Sequence, residues 1–534
     1  MPASIVCLQE EATTAGLEVL RRGGNAVDAA IAAGFAECVV APSLVSIGGA
    51  ASMHIYHGPS GQHKLIQGEC PVGSRATPEV FADGYVGRRD LVGRWEVKGY
   101  INQMGYAAIA VPTFVRVMYE AHRLFGSMPW AELLKPAIRL AKDGFTFNAY
   151  TRRFWTEEGD FSVVPEAKPL VKLKLTDECA SLFLTPPGEL YPAGHRMVLP
   201  DLARTLTAIA EGGADAFYQG EIGRKMARDF EAHGGFVTYE DLVNYRPRFY
   251  DEPYQGRFRD LTIATKHLPS TNIEMIQYLQ IVDGVDFAEY QHNSPEYLDL
   301  IARIMHQVFS DRAAYYADPI FHDVPVARLT SRERASELRA RALDRTVRAG
   351  RTNGGSGSTH FCVLDREGTG VSCSHSVGSG SGVVTPGLGF IHNNFMGLFD
   401  PLPNTMNSIA RGKCGVAGGG AHMLLRDGRV RLITGSPGGP RGTTGVLQSL
   451  LNRWGFGMNP EESVAAPRIH AEQPELMYVE YTFPASTLER LRQMGYQIVQ
   501  WRYGGRVTTI EVDEEGTVGG VVDPRAAGTV GLLQ

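Results

Sequence analysis

The sequence has few of the features that would tie it to an oxidising compartment, a metal or a membrane. Its seven cysteines (7, 38, 70, 179, 362, 373 and 414) are odd in number and form no Cys-x-x-Cys pair, so neither a disulfide framework nor a zinc site is expected. Long hydrophobic runs are missing: the most apolar segment, Ala26 to Ala41, is interrupted by Asp28 and Glu37. No basic stretch leading into an apolar core opens the chain, so no membrane span and no signal peptide are expected, and the setting reads as cytoplasmic. An excess of positive charge is also lacking. Fifty-two basic residues against 58 acidic ones leave a net charge of −6, which removes any general attraction to nucleic acid or anionic membrane. His54 and His57 stand three apart on an expected strand and so fall on opposite faces, a poor arrangement for a metal. No metal and no cofactor are expected.

What is present is a long globular chain. Its 534 residues, 43% of them hydrophobic, suffice for a large buried core. Helix signals dominate the first two thirds. Glu10 to Arg22 ends at Gly23-Gly24, Asn25 caps an alanine-rich helix closed by Pro42, and Ser294-Pro-Glu opens a long helix with a capping serine and a proline in its first turn. Ser331 to Arg351, dense in arginine with Glu333 and Glu337 between, reads as an exposed helix. Beyond it the pattern changes to strands. Thr359–Leu364 and Gly370–Val377 flank a turn at Asp365-Arg-Glu-Gly, and His422–Leu425 and Arg429–Thr434 flank Arg426-Asp-Gly. Helices interleave with these hairpins, which predicts a layered α/β body.

The one clear break in composition is the tract Thr352 to Gly357, which runs directly into the strand beginning at Ser358-Thr-His-Phe. Taken alone, these residues fit a solvated linker. They also fit a cleavage site: a cut between Gly357 and Ser358 gives Ser358 both a hydroxyl and an α-amine whose pKa of about 7.7 to 8.0 suits a base near neutral pH. Ser372, Ser374 and Ser376, with His375, lie on the next strand and could steady that hydroxyl, or simply form a polar sheet face. Gly438 and Gly439, in a strand-to-helix loop, expose backbone amides suited to an oxyanion. That loop lacks the Lys and Ser/Thr of a phosphate-binding P-loop.

Six ordered motifs bring these pieces together: Gly23-Gly-Asn-Ala-Val-Asp-Ala-Ala, Pro136-Ala-Ile-Arg-Leu-Ala-Lys-Asp-Gly-Phe, Phe309-Ser-Asp-Arg-Ala, Ser358-Thr-His-Phe, Gly435-Ser-Pro-Gly-Gly and Asp523-Pro-Arg. In this order they resemble the γ-glutamyltransferase family of N-terminal nucleophile hydrolases, from about residue 5 to the C-terminus. The resemblance implies a four-layer αββα sandwich. It also implies autocatalytic cleavage into a large segment, 1–357, and a small one, 358–534, which stay intertwined as a heterodimer; whether that unit forms a further dimer stays open. Ser358 takes the nucleophile position two residues before the histidine, where the family usually has threonine, and Thr359 is the alternative. Ser376 falls where the family hydrogen-bonds the nucleophile, and Gly438 and Gly439 where it builds the oxyanion hole.

Substrate recognition departs from the family. Glu69 stands at the position of the arginine that holds the glutamyl α-carboxylate, and Ala417-Gly418 at the serine pair. Leu398 replaces the acid and Gly378 the asparagine that hold the α-amine, while Phe395 replaces another polar side chain. A charged headgroup without partners costs several kcal/mol to bury, so a rebuilt pocket is expected, with Glu69, His375, Phe395, Arg411 and Lys413 near it. The expected partner is a small-molecule amide, and the expected activity is self-processing amidohydrolysis or acyl transfer on a small, oxamate-like or otherwise non-glutamyl acyl group. The alternatives are a γ-glutamyl hydrolase or transpeptidase acting on glutathione-like substrates, and an unprocessed, non-catalytic homologue.

Overall fold

Strand Ala3–Cys7 has neighbours that both come from the far side of the chain: Thr359–Leu364 pairs along one edge and Thr529–Leu533 along the other. The computed structural model describes residues 1–89, 94–156, 169–344, 358–502 and 505–534. Gly357, the rest of the glycine-serine tract and residues 345–351 lie outside these. From that first strand an antiparallel sheet of seven builds up in the order Thr529–Leu533, Ala3–Cys7, Thr359–Leu364, Gly370–Ser376, Ala50–His57, Gln62–Gly68 and Arg248–Tyr250. A second antiparallel sheet of six runs Val518–Val522, Thr508–Val512, Arg429–Gly435, His422–Arg426, Leu261–Thr265 and Tyr254–Phe258.

Alternation along the strands decides which residues meet. In Thr359–Leu364, Phe361 and Val363 point to a helical core, while Cys362 and Leu364 meet Met423, Ile433 and Ile510 of the other sheet. Outside the first sheet lie helices Glu10–Arg21, Ala26–Val40, Phe114–Phe125 and Trp130–Asp143; outside the second lie Ile273–Val282, Pro295–Tyr315 and Pro440–Trp454. Two sheets face to face between two helical layers make a four-layer αββα sandwich, the architecture the resemblance implies.

Local chemistry sets the helix ends. Asn25 accepts from the amides of Val27 and Asp28, and Asp28 returns a bond to the Asn25 amide, a reciprocal cap on a helix whose fifteen residues are all buried. Ser294 caps the long helix Pro295–Tyr315 through the Tyr297 amide. The arginine-rich segment is helical over Arg332–Leu343, but it is not wholly a solvated face. Arg334 is buried and pairs with Asp311 on the neighbouring long helix. Its remaining arginines are mostly exposed, so the charge pattern alone concealed the one that packs inward. Asp523 of the Asp523-Pro-Arg motif is fully buried and binds Arg468 at 2.8 Å, tying the second sheet to the segment after helix Pro460–Ala465. Among the described residues, no helix is long and apolar enough to cross a membrane.

Candidate active site

Ser358 lies at the start of strand Thr359–Leu364, half-buried, on the wall of a cavity at the ends of the two sheets. Strand pairing places Thr359 beside His375, so the same register brings Ser374 and Ser376 to the cavity. Ser376 Oγ accepts from the amide of Gly378 at 2.9 Å. Ser372, one pleat further in, is bonded instead to His360 Nε2, so only part of the serine row reaches the cavity.

Thr359 has a different fate. Its side chain turns to the opposite face of the sheet, is fully buried, and donates to Glu37 Oε1 at 3.2 Å. Glu37 Oε2 takes His375 Nε2 at 2.5 Å, and the His375 ring stacks on Phe114 at 5.4 Å. Burial pushes the Glu37 carboxyl above its ordinary value, while His375 and Thr359 pull it back. His375 therefore borders the cavity but turns its imidazole into the helical layer. The sequence reading treats Glu37 as an interruption of an apolar run. A carboxylate in an otherwise apolar helix, held there only by a buried partner, is the signal that could have found this triad.

Across the cavity, strand Arg429–Gly435 delivers the loop to helix Pro440–Trp454. Gly438 and Gly439 have φ of +112° and +61°, and Gly439 is the residue preceding the helix. Only glycine adopts these angles without strain; Gly438 is not among the described residues lining the cavity. Gly439 lines the cavity and abuts Gly418 closely enough that a Cβ on Gly418 would come within 2.7 Å of the Gly439 Cα. The serine pair expected from the family has no room at that contact.

Phe395, Leu398, Ala417, Gly418 and Glu69 line the same cavity. Gly378, in the left-handed region at φ +71°, would direct a Cβ to 2.1 Å from Asn394 Oδ1. Asn394 is itself fully engaged: Nδ2 donates to the Gln103 carbonyl and to Ser379 Oγ, and Oδ1 accepts from the Ser379 amide, each at 2.9 Å. Glu69 Oε1 accepts from Ser52 Oγ at 3.3 Å and Gln67 Nε2 at 3.2 Å, while its Oε2 is buried with no hydrogen-bond partner among the described residues.

Two expected residues lie elsewhere. Arg411 lines a neighbouring cleft that shares Glu69 with this cavity, and Lys413 donates its ammonium to the carbonyls of Met406 and Ser408. Lys266, which no sequence motif marked, does line the cavity, directly after strand Leu261–Thr265. Around it His54, His360 and His422 are buried, which lowers their pKa values, His422 to about 3, so all three are neutral at pH 7. Among the described residues no group of three or more His, Cys, Asp or Glu side chains is arranged to hold a metal.

Comparison with known proteins places the chain among acyl-transfer enzymes. The family profile Gamma-glutamyltranspeptidase matches residues 12–533. An "Acylase ACY 1 proenzyme" of Pseudomonas sp. strain SE83 is 34% identical over 530 residues, covering 97% of this chain and 91% of the relative. A "Glutathione hydrolase proenzyme" of Pseudomonas aeruginosa is 32% identical over 544 residues, covering 97% and 92%. The crystal structure of a cephalosporin acylase from Bacillus halodurans superposes with a TM-score of 0.87 at 28% identity, covering 99% of this chain and 95% of that one.

Proposed function

Since the chain belongs to the gamma-glutamyltranspeptidase family and carries the fold of its N-terminal nucleophile hydrolases, we propose that it cleaves itself before Ser358 and then hydrolyses amides of small, non-glutamyl acyl groups. The observation that carries the substrate half of this reading is the contact between Gly378 and Asn394. The place where the family's asparagine side chain would sit is already filled by a side chain whose own hydrogen bonds are complete.

The chemistry follows from the positions of the groups. After cleavage, the α-amine of Ser358 takes the proton of its own hydroxyl as Oγ attacks the amide carbonyl. The amides of Gly438 and Gly439 hold the oxyanion, an arrangement in which one donor is typically worth about 10²–10³ in rate. Collapse breaks the C–N bond, the proton passes from the α-amine to the departing nitrogen, and an acyl ester on Ser358 remains. Water repeats the sequence: it loses a proton to the same amine, adds to the ester carbonyl, and the acid leaves as Oγ regains its proton. An amine in place of water gives transfer. Ser376 steadies Oγ, and Phe395 and Leu398 give the acyl end an apolar wall.

Denaturing electrophoresis with mass analysis tests the first step. Fragments of residues 1–357 and 358–534 are expected from the purified wild type and a whole chain from Ser358→Ala; a wild-type chain that stays whole after long incubation would overturn the reading. An amide panel including oxamate, with release of glutamate from a γ-glutamyl anilide as the competing assay, tests the second. Faster turnover of the γ-glutamyl anilide would return the protein to glutathione-like substrates.

A further inference from the structure

Apart from the capping residue Asp28, helix Ala26–Val40 carries one charged side chain, Glu37, and that carboxylate is fully buried. It reaches three neighbouring strands of the first sheet. Oε1 takes the Thr359 hydroxyl at the head of strand Thr359–Leu364, and Oε2 takes His375 Nε2 on strand Gly370–Ser376. The Leu8 backbone amide, directly after strand Ala3–Cys7, stabilises the same charge. The imidazole is itself confined: it stacks on Phe114, meets Phe361 edge-on at 5.6 Å and has Cys38 Sγ 3.9 Å from Nδ1.

The carboxylate acts one residue from the nucleophile. Thr359 and His375 are cross-strand partners at the end of their ladder, and one step further the same register sets Ser358 opposite Ser376 on the cavity face. A cut before Ser358 removes the chain that precedes it, and a new terminus frays unless its first residues are tied down. Serine adds to that need. Lacking the methyl group that restricts χ1 in threonine, it relies more on how its backbone is held. Stability offers no comparable reason for the carboxylate, because replacing a buried charged pair by apolar side chains of similar volume is often neutral or stabilising.

We propose that Glu37 and His375 are positioning residues of the cut enzyme: together with Thr359 they clamp the new N-terminus to the helical layer, so that Ser358 Oγ stays where it can attack. The inference rests on the reading of Ser358 as a self-released nucleophile and extends it. The Glu37 and Thr359 side chains and the His375 imidazole lie on the helical side of the sheet, so their effect on the substrate passes through Ser358.

The test removes the clamp without leaving a buried polar group behind, in the triple variant Glu37→Leu/Thr359→Val/His375→Phe. We expect it to cut itself and to melt close to the wild type, since all three polar partners leave together. On an anilide that the wild type turns over, kcat should fall by about 10- to 100-fold with KM changed by less than about 3-fold, the pattern of a displaced reacting group and not of lost binding. Glu37→Gln, whose amide can serve both partners, should keep most of kcat. A triple variant with wild-type kcat, one that folds but stays whole, or a Glu37→Gln as slow as the triple variant would each overturn the assignment.

If the triple variant does not fold, Thr359→Val carries the test by a route that needs no turnover. An aminopeptidase should remove Ser358 from its small segment several-fold faster than from that of the wild type, as read by mass, and equal trimming would refute the clamp. A wild type that is cut and active, with every variant alike, loses only the clamp. A wild type that stays whole has no terminus to hold, and both readings fall.

Discussion

Thr359 Oγ1 donates a 3.2 Å hydrogen bond to Glu37 Oε1, so the hydroxyl next to Ser358 is spent inside the protein. Two adjacent hydroxyl residues at the head of one strand must point to opposite faces, and here one face is the cavity while the other is the helical layer. That pleat, and the carboxylate on the far side of it, are the physical grounds for proposing Ser358 rather than Thr359 as the nucleophile.

Thr359→Val should therefore remain competent for cleavage and turnover, at a stability cost of about 1–3 kcal/mol for the acceptor it leaves on buried Glu37. Thermal melts and electrophoresis of the purified variant measure both. A Thr359→Val chain that never cleaves, beside a Ser358→Ala chain that does, would move the nucleophile by one residue.

Gly378→Asn, the substitution that returns the family's asparagine, should not restore γ-glutamyl hydrolysis. It forces a side chain into the left-handed region and would put its Cβ 2.1 Å from Asn394 Oδ1, and backbone strain of this kind alone costs about 1–3 kcal/mol. We expect a lower melting temperature and no gain in γ-glutamyl anilide turnover. A gain would mean that Asn394 yields its place readily.

The buried histidines predict loss of stability in mild acid. His54, His360, His392 and His422 all have folded pKa values depressed by burial, His392 and His422 to about 3. A depressed group contributes its full stability above the unfolded value, about 6.5, and loses it as pH falls toward the folded value. Between pH 6.5 and 4 each should cost up to about 1.4 kcal/mol per pH unit, because the unfolded chain takes up a proton that the folded chain refuses. Urea midpoints at a series of pH values measure the slope. His422→Gln should flatten it by about one proton; an unchanged slope would show that His422 is protonated in the fold.

Local signals carried much of this structure. The Asn25 and Ser294 caps, the Asp365 and Arg426 hairpin turns and the Gly438-Gly439 loop are written within a few residues and are found where their chemistry predicts. Ser358, Ser376 and Gly439 could likewise be gathered on paper, and they share one cavity. What escaped depends on distant partners. Glu37 makes sense only once His375, 338 residues away, is beside it. Lys266 follows an ordinary strand and is found at the cavity only once the two sheets are brought together. Arg411 and Lys413 are close in sequence to cavity residues, yet the chain turns their side chains to a neighbouring cleft and to a loop's own carbonyls.

The strand Ala3–Cys7, held between Thr359–Leu364 and Thr529–Leu533, gives the proposed cut before Ser358 an outcome of its own. The uncut chain searches for that pairing as one molecule, at a rate independent of dilution. Once divided, the same pairing joins two polypeptides, and recovery after denaturation becomes a second-order encounter whose yield falls as the solution is thinned. The proposed cut would thereby exchange a one-molecule folding reaction for a two-molecule assembly.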